Sequence, residues 1–171
     1  MKECNEFDSY LSSRFERGNR GALERYFDEL DLNYSALLPE NKEADILDLG
    51  CGMGQFIRYL HQKRYKNVAG IDMSHEAVDY CKDNGIENIS KVDDLSDFLA
   101  KNVDKFDFII LKSVIAHFKN ENVIMNMRLI RNALKKDGRI LMETFNASIL
   151  TGTFAMRDYF THKSAFTDES L

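Results

Sequence analysis

Apolar residues along this chain fall into two patterns, short continuous runs and stripes with helical spacing. Continuous runs in ADILDL and FDFIIL predict strands that are covered on both faces, as in the middle of a parallel sheet. Stripes at intervals of three and four residues predict amphipathic helices. The two clearest stripes are Leu23, Phe27, Leu30, Tyr34 and Leu37, and later Val123, Met127, Ile130 and Leu134. Because strands and helices alternate, we expect an α/β fold with a doubly wound, mostly parallel sheet.

Caps and glycines set the expected limits of these elements. Ser74 is predicted to cap the helix after the second strand, and Gly85 to end it. The helix with the second stripe is predicted to include Lys135 and Lys136 in its last turn, with Gly138 just beyond. Besides a strand around Ile46 and one that ends at Asp72, strands are predicted at 88–92, 106–111 and 139–143.

Length, charge and cysteines narrow the class of protein. A chain of 171 residues predicts one domain, and a net charge of -5 argues against the polyanionic backbone of a nucleic acid as partner. No apolar run has the length of a membrane span, and the first residues lack a signal-peptide core. Cys4, Cys51 and Cys81 lack metal-ligand spacing. We therefore expect reduced thiols, a cytoplasmic location and no metal site.

The segment DLGCGMGQF, which joins the first strand to the next helix, carries the clearest chemistry. Glycines let a backbone bend sharply and let a ligand lie against it. A P-loop would need Lys and then Ser or Thr after its last glycine, where Gln55 and Phe56 stand. The dinucleotide fingerprint would need its third glycine at position 55. Both a nucleoside triphosphate and a nicotinamide dinucleotide are therefore disfavoured.

Two carboxylates accompany this turn and favour a different ligand. Asp48 precedes the glycines, and a carboxylate there suits a cationic ligand better than a pyrophosphate. Asp72 ends the second strand, where it can accept two hydrogen bonds from a ribose diol. An adenosine cofactor with positive charge meets both conditions. The residues therefore point to S-adenosylmethionine, whose ammonium and sulfonium groups are positive.

These segments resemble the motifs of the class I S-adenosylmethionine-dependent methyltransferases. The first motif, E/D-x-G-x-G-x-G, is matched by Asp48, Gly50, Gly52 and Gly54, and the next motif by residues 70–74. The resemblance implies a Rossmann-like methyltransferase fold with the cofactor at the carboxyl ends of the strands. The family fold has seven strands, so we expect a C-terminally truncated domain that lacks the last two.

The resemblance also implies which residues contact the cofactor. In the family, an acidic residue after the third strand bonds the adenine amino group, and Asp94 fits that position better than Asp93. A plain turn at the end of the strand is the alternative for either carboxylate. The full implied set is Asp48, Gly50, Cys51, Gly52, Gly54, Asp72, Met73, Asp94, Leu95 and Lys112.

The segment after the fourth strand departs from the family pattern. Many metal-free members carry a Glu-His pair there, whereas this chain has Ala116 and His117. Metal-dependent O-methyltransferases usually bear an acid just after this strand, where Lys112 and Ser113 stand, so metal dependence is disfavoured. We expect His117 to be the general base, with His162 as its rival. A structural role is the alternative for each histidine.

The ends of the chain bear on the acceptor. The tail resembles the D-x-T-H-x-x-x-F-T-x-x-S-L pattern of a methyltransferase subgroup of bacterial surface-polysaccharide (capsule) pathways, although Asp158 stands one residue too far from the Thr-His pair. Residues 1–40 are predicted to form a helical lid over the methyltransferase domain, residues 41–171. A solvated cap is the alternative. The expected acceptor-binding residues are Tyr10, Arg14, Arg17 and Asn146.

The predicted function is methyl transfer to an oxygen of a small hydroxylated or phosphorylated acceptor, such as a surface-glycan component or its activated precursor. A small-molecule N-methyltransferase is one alternative. A non-catalytic S-adenosylmethionine-binding partner subunit is a second, and a nicotinamide dehydrogenase is a third.

Overall fold

The structure, a computed structural model, describes residues 20–149 and 162–171. Five parallel strands in the order β3-β2-β1-β4-β5 form the described sheet. The elements are α1 Arg20–Tyr34, β1 Ile46–Leu49, α2 Gln55–Gln62, β2 Val68–Asp72, α3 His75–Asp83, β3 Ile89–Lys91, α4 Leu95–Ala100, β4 Phe106–Lys112, α5 Val123–Ala133 and β5 Leu134–Glu143. The predicted doubly wound parallel sheet is confirmed. Within the described ranges, no helix is long and apolar enough to cross a membrane.

The two continuous apolar runs form the middle of the sheet. All four residues of β1 are buried, and so are Phe108, Ile109, Ile110 and Leu111 of β4. Alternate side chains serve the two faces: Ile46, Phe108 and Ile110 pack with α1, α2 and α3, while Leu47, Ile109 and Leu111 pack with α4 and α5. Strand order reverses between β1 and β4, which is where a doubly wound sheet opens a crevice at the carboxyl ends of its strands.

Helix α3 has the predicted limits. Ser74 Oγ accepts a hydrogen bond from the backbone N–H of Ala77 at 3.2 Å, so Ser74 is the N-cap. The helix ends at Asp83, and Gly85 has a φ of +68°. Such a left-handed residue just after a helix is the conformation that glycine adopts most readily.

Helix α1 corrects the first predicted stripe at its end. Leu30 is fully buried, and Phe27 and Tyr34 pack against the core, as the spacing predicts. Leu37 is 51% exposed instead, and Leu38 is buried in its place. The chain tightens after Tyr34 into the 3₁₀ turn Ser35–Leu37, whose three residues per turn rotate Leu37 away from the core.

The boundary between α5 and β5 also differs from the prediction. The helix ends at Ala133, so Lys135 and Lys136 lie in β5 and not in a last helical turn. Lys135 Nζ lies 2.7 Å from Asp45 Oδ2 and 2.9 Å from Asp107 Oδ2, and these ion pairs hold it at the base of the sheet. The pairing of β4 with β5 shifts register between Phe106 and Phe108, and the strand predicted at 139–143 pairs regularly with β4.

Candidate functional site

A cavity of about 350 Å³ opens at the carboxyl ends of β1, β2 and β4. The glycine turn after β1 forms one side of the cavity, and the end of β2 forms a second. The segment after β4 forms a third side, and Tyr26 of α1 also lines the cavity. Of the ten residues assigned to the cofactor, the following line the cavity: Asp48, Gly50, Cys51, Gly52, Asp72, Met73, Leu95 and Lys112. The fold therefore gathers most of the predicted set around one space.

The glycine turn is held against the end of β2. The N–H groups of Gly50 and Cys51 both donate to the Ile71 carbonyl, at 2.8 and 3.0 Å. Gly50 has a φ of +76°, and a Cβ there would lie 2.5 Å from Val114 Cγ2. A side chain at this position would be strained and would collide with the cavity wall. The geometry therefore fits a ligand that lies directly on backbone.

Asp72 links the turn to the start of α3. Its Oδ2 accepts the Gly52 N–H at 2.8 Å, and its Oδ1 accepts the Ser74 N–H at 2.8 Å. The carboxylate is thereby fixed in orientation at the cavity wall and fits a ribose diol.

Asp48 is a buried carboxyl beside this wall, with only 3% of its surface exposed. Its pKa is raised to about 7, mainly by burial and also by the negative charge of Asp72, while the positive charge of Lys112 opposes the shift. A cation in the cavity would favour the ionised form of Asp48. The donor set therefore fits the ammonium and sulfonium charges of S-adenosylmethionine.

Ionisation of Asp48 should make the fold less stable as pH rises. Because the folded-state pKa lies above the ordinary value of 3.8, folding favours the protonated carboxyl. The resulting stability is fully present below pH 3.8 and is lost as pH rises toward 7. We expect Asp48→Asn to remove a decline in unfolding free energy of up to about 1.4 kcal/mol per pH unit in that window.

Urea unfolding of the wild type and Asp48→Asn at several pH values between 4.5 and 8 measures this difference. Glu87→Gln is the matched control, because Glu87 is exposed on the surface. That variant should keep the slope of the wild type. Parallel curves for the wild type and Asp48→Asn would show that Asp48 ionises as freely in the folded chain as in the unfolded one.

Lys112 places a positive charge in a wall that otherwise carries carboxylates. Its ammonium lies 2.6 Å from Glu143 Oε1, because the two residues are register partners at the ends of β4 and β5. Burial raises the pKa of Glu143, and the nearby charge of Glu29 adds to this shift. The ion pair joins the carboxyl ends of the last two described strands beside the cavity.

The two cysteines of the described chain lie behind the glycine turn. Cys51 and Cys81 are free and buried, and their thiols donate to the Gly52 carbonyl at 3.8 and 3.4 Å. The hydrogen bond with Cys81 and burial together raise the pKa of the Cys51 thiol. Cys51 therefore meets the cavity as a small neutral group and not as a thiolate.

The two candidate bases lie next to each other. His117 ends the 3₁₀ turn Ile115–His117 and lines the cavity. The centroid of its ring lies 4.9 Å from that of His162. The centroid of the Phe145 ring lies 6.0 Å from that of His162. The sequence predicted each histidine as a candidate base, but the two are 45 positions apart in the chain. Tertiary structure brings them together.

Three other predicted positions have roles in the local backbone structure, and three lie outside the described residues. Gly54, the N-cap of α2, lies outside the wall that the described residues form, and a Cβ there would lie 2.6 Å from Ile86 Cδ1. Asp94 caps α4, because its Oδ1 accepts from the N–H groups of Ser96 and Asp97. Asn146 Oδ1 accepts from the Ser148 N–H at 2.8 Å. Tyr10, Arg14 and Arg17 lie outside the described residues.

Several residues of the wall were not predicted from the sequence. Tyr26, Gln55, Val92, Val114 and Phe118 all line the cavity. Gln55 directly follows the matched motif, so its position was a usable signal. Tyr26 stands beside the apolar stripe of α1, and only the packing of that helix over the sheet shows which way it faces. No group of three or more His, Cys, Asp and Glu that could hold a metal occurs among the described residues.

Comparisons with known proteins agree with this geometry. A family model described as Methyltransferase domain matches residues 22–171. The phosphoethanolamine N-methyltransferase of Plasmodium falciparum (isolate 3D7) is 25% identical over 143 residues, which are 82% of this chain and 49% of that protein. The chain therefore spans about half the length of this curated relative.

Solved structures show the same fold. A SAM dependent methyltransferase from Archaeoglobus fulgidus has a TM-score of 0.76 at 22% identity, over 94% of this chain and 69% of the other. One from Mesorhizobium loti has a TM-score of 0.59 at 26% identity, over 72% and 55%. Since the family model spans nearly the whole sequence, the chain belongs to the family of methyltransferase domains, and its cofactor is S-adenosylmethionine.

Proposed function

We propose that this chain transfers the methyl group of S-adenosylmethionine to an oxygen of a small hydroxylated or phosphorylated acceptor. The observation that carries the proposal is the position of His117, whose side chain shares a cavity with the glycine turn and Asp72. An imidazole beside the cofactor site can take the proton of an acceptor hydroxyl. Our first choice of acceptor is a surface-glycan component or its activated precursor.

The chain's own residues would bind and orient the cofactor. Gly50 and Gly52 would lie against its amino-acid part, and Asp72 would accept hydrogen bonds from the ribose hydroxyls. The side chain of Leu95, which lines the cavity after β3, would lie near the adenine. When bound, the cofactor supplies an activated methyl group on a good leaving group. Catalysis would then rest mainly on proximity and in-line alignment of the acceptor.

His117 is the preferred base because its side chain lines the cavity of the cofactor. His162 lies against it on the side toward Phe145, where it would help to shape the acceptor space. Asn146 follows β5 near this space, and its side chain holds the local turn. The aromatic and basic residues near the N-terminus, Tyr10, Arg14 and Arg17, would bind an anionic acceptor group.

N-methylation of a small amine is the second candidate function. It is supported by the printed name of the relative from Plasmodium falciparum, which is a phosphoethanolamine N-methyltransferase. An ammonium acceptor must also lose a proton before its nitrogen can attack. The same base would therefore serve either atom, and the acceptor decides between the two functions.

A screen with methyl-deuterated S-adenosylmethionine tests these functions. Purified chain is incubated with separate panels of sugars, sugar phosphates and small amines, including phosphoethanolamine. Mass spectrometry measures S-adenosylhomocysteine and the labelled product, and NMR locates the methyl group. Label on oxygen supports the first proposal, and label on nitrogen supports the second. Cofactor binding without S-adenosylhomocysteine from any panel would favour the non-catalytic partner subunit.

Turnover should need no divalent metal. Lys112, which ends β4, and Ser113, which follows it, both line the cavity, and neither side chain is a carboxylate that could hold a divalent cation. We expect the same rate after dialysis against EDTA as before it, and no gain when Mg²⁺ is added back. A rate that falls in chelator and returns with Mg²⁺ would contradict metal independence.

A further inference from the structure

Ser164 binds the C-terminal segment to the loop that carries His117. Its side chain is 2% exposed, and its Oγ lies 2.5 Å from the Phe118 carbonyl oxygen and 2.6 Å from Asn120 Oδ1. A hydroxyl has one hydrogen, so it donates to one of these oxygens at a time. A buried polar side chain with two partners this close holds the segments that it joins in one arrangement.

The backbone at this point grips the same loop. The N–H groups of Lys163 and Ser164 both donate to the Ala116 carbonyl, at 2.7 and 3.0 Å. Ala116 and Phe118 are the two neighbours of His117 in the chain. The contacts of Ser164 therefore bracket His117 on both sides.

His162 lies next to these contacts in the chain. His162 is two residues before Ser164, and its ring reaches to 4.9 Å from the ring of His117. Further along the same segment, Phe166 contacts the chain after β5, because the Ala147 N–H donates to the Phe166 carbonyl at 2.7 Å. Residues 162–166 thus join the loop after β4 to the exit of β5, with Ser164 on the side of the histidines.

We propose that Ser164 is a positioning residue, which holds His162 against His117 at the cavity through its bonds to Phe118 and Asn120. The proposal rests on the proposed function, in which one of these histidines is the base. Ser164 itself is not part of the cavity wall that the described residues form, although its partner Phe118 is. It acts through the placement of the two rings.

Side-chain NMR of the four histidines in the full chain tests the proposal without an acceptor. His61, His75, His117 and His162 are the histidines of the sequence, and single His→Gln variants assign their ring signals. In Ser164→Ala, we expect the ring signals of His117 and His162 to shift, because the two rings no longer contact each other in one arrangement. The signals of the exposed His61 and His75 should stay in place.

Two further variants separate positioning from general damage. Ser170→Ala is the matched control, because Ser170 lies in the same segment and, among the described residues, its side chain bonds to Thr167 alone. It should leave all four signals unchanged. Ser164→Thr keeps a hydroxyl and should restore the wild-type signals at least in part.

Turnover gives a second measure, with the acceptor found by the screen. We expect Ser164→Ala to lower kcat by up to about 10²-fold, the loss that a displacement of ~1 Å can cause, with KM for S-adenosylmethionine unchanged. Adding it to His162→Ala should cost nothing more, because the two residues act through one contact.

The outcomes separate this inference from the proposed function. Unchanged signals of His117 and His162 in Ser164→Ala would overturn the inference and leave the histidine base standing. Movement of all four signals to unfolded positions would also overturn it, since Ser164 would then support the whole fold. Full turnover in both His117→Ala and His162→Ala would instead refute the base, while the NMR result would still decide whether Ser164 positions the pair.

Discussion

Asp72→Ala should weaken binding of S-adenosylhomocysteine by roughly 10- to 150-fold, which corresponds to about 1.5–3 kcal/mol for hydrogen bonds to a charged group. Two effects contribute. The variant removes the carboxylate that we assign to the ribose hydroxyls, and it deprives the Gly52 and Ser74 N–H groups of their acceptor. The glycine turn then loses its link through Asp72 to the start of α3, and the bond from the Cys81 thiol to the Gly52 carbonyl remains. Titration calorimetry of the purified chain measures the change.

Two variants sharpen this experiment. Asp72→Asn keeps one oxygen acceptor in place and should bind with intermediate affinity. Asp79→Ala, on the exposed side of α3, removes a carboxylate that pairs with His75 at 2.7 Å and should leave affinity unchanged. Equal affinity of Asp72→Ala and the wild type would remove Asp72 from the cofactor site.

His117→Ala should lower turnover by roughly 10²- to 10⁴-fold, the usual contribution of a general base. Affinity for S-adenosylhomocysteine should stay within a small factor of the wild type, because the glycine turn and Asp72 are untouched. The release of S-adenosylhomocysteine is measured from pH 6 to 9 with the acceptor from the screen. The structural reason is that His117 lies in the cavity wall.

His162→Ala is measured beside it, and His61→Ala is the control. His61 is exposed near the end of α2 and should be replaceable without loss. A larger loss in His162→Ala than in His117→Ala would move the base to the C-terminal segment. If both variants keep full turnover over this pH range, the acceptor must react already deprotonated, as a phosphate-type oxygen would.

Local sequence information was sufficient for the parts of the site that one short segment builds. Gly50 and Gly52 form the sharp turn that the glycines predict, and Asp72 ends β2, because residue type and spacing determine backbone conformation there. All three residues line the cavity. The limits of α3 were likewise readable from Ser74 and Gly85. The sequence alone is less decisive for Asp94, which was predicted to contact the adenine, because its carboxylate serves as the N-cap of α4.

The errors in the fold lie where distant residues compete with local preference. Lys135 has the position of a helix-ending cation, yet Asp45 and Asp107 bind its ammonium in β5. Leu37 continues a helical stripe in sequence, but the tighter turn after Tyr34 exposes it and buries Leu38. An ion pair between separate elements decides the position of Lys135, and a change of helix type decides that of Leu37. Each outweighs the helical pattern in the sequence.

The sequence by itself determined the alternating α/β order, the central strands and the glycine turn after β1, because periodicity, apolar runs and glycines act within a few residues. Only the tertiary structure decided that the ring of His162 lies 4.9 Å from that of His117 and that Tyr26 of α1 faces the cavity. It also decided that Ser164 brackets the loop of His117 through Phe118 and Ala116. Such contacts join residues tens of positions apart, and they depend on how whole elements pack against the sheet.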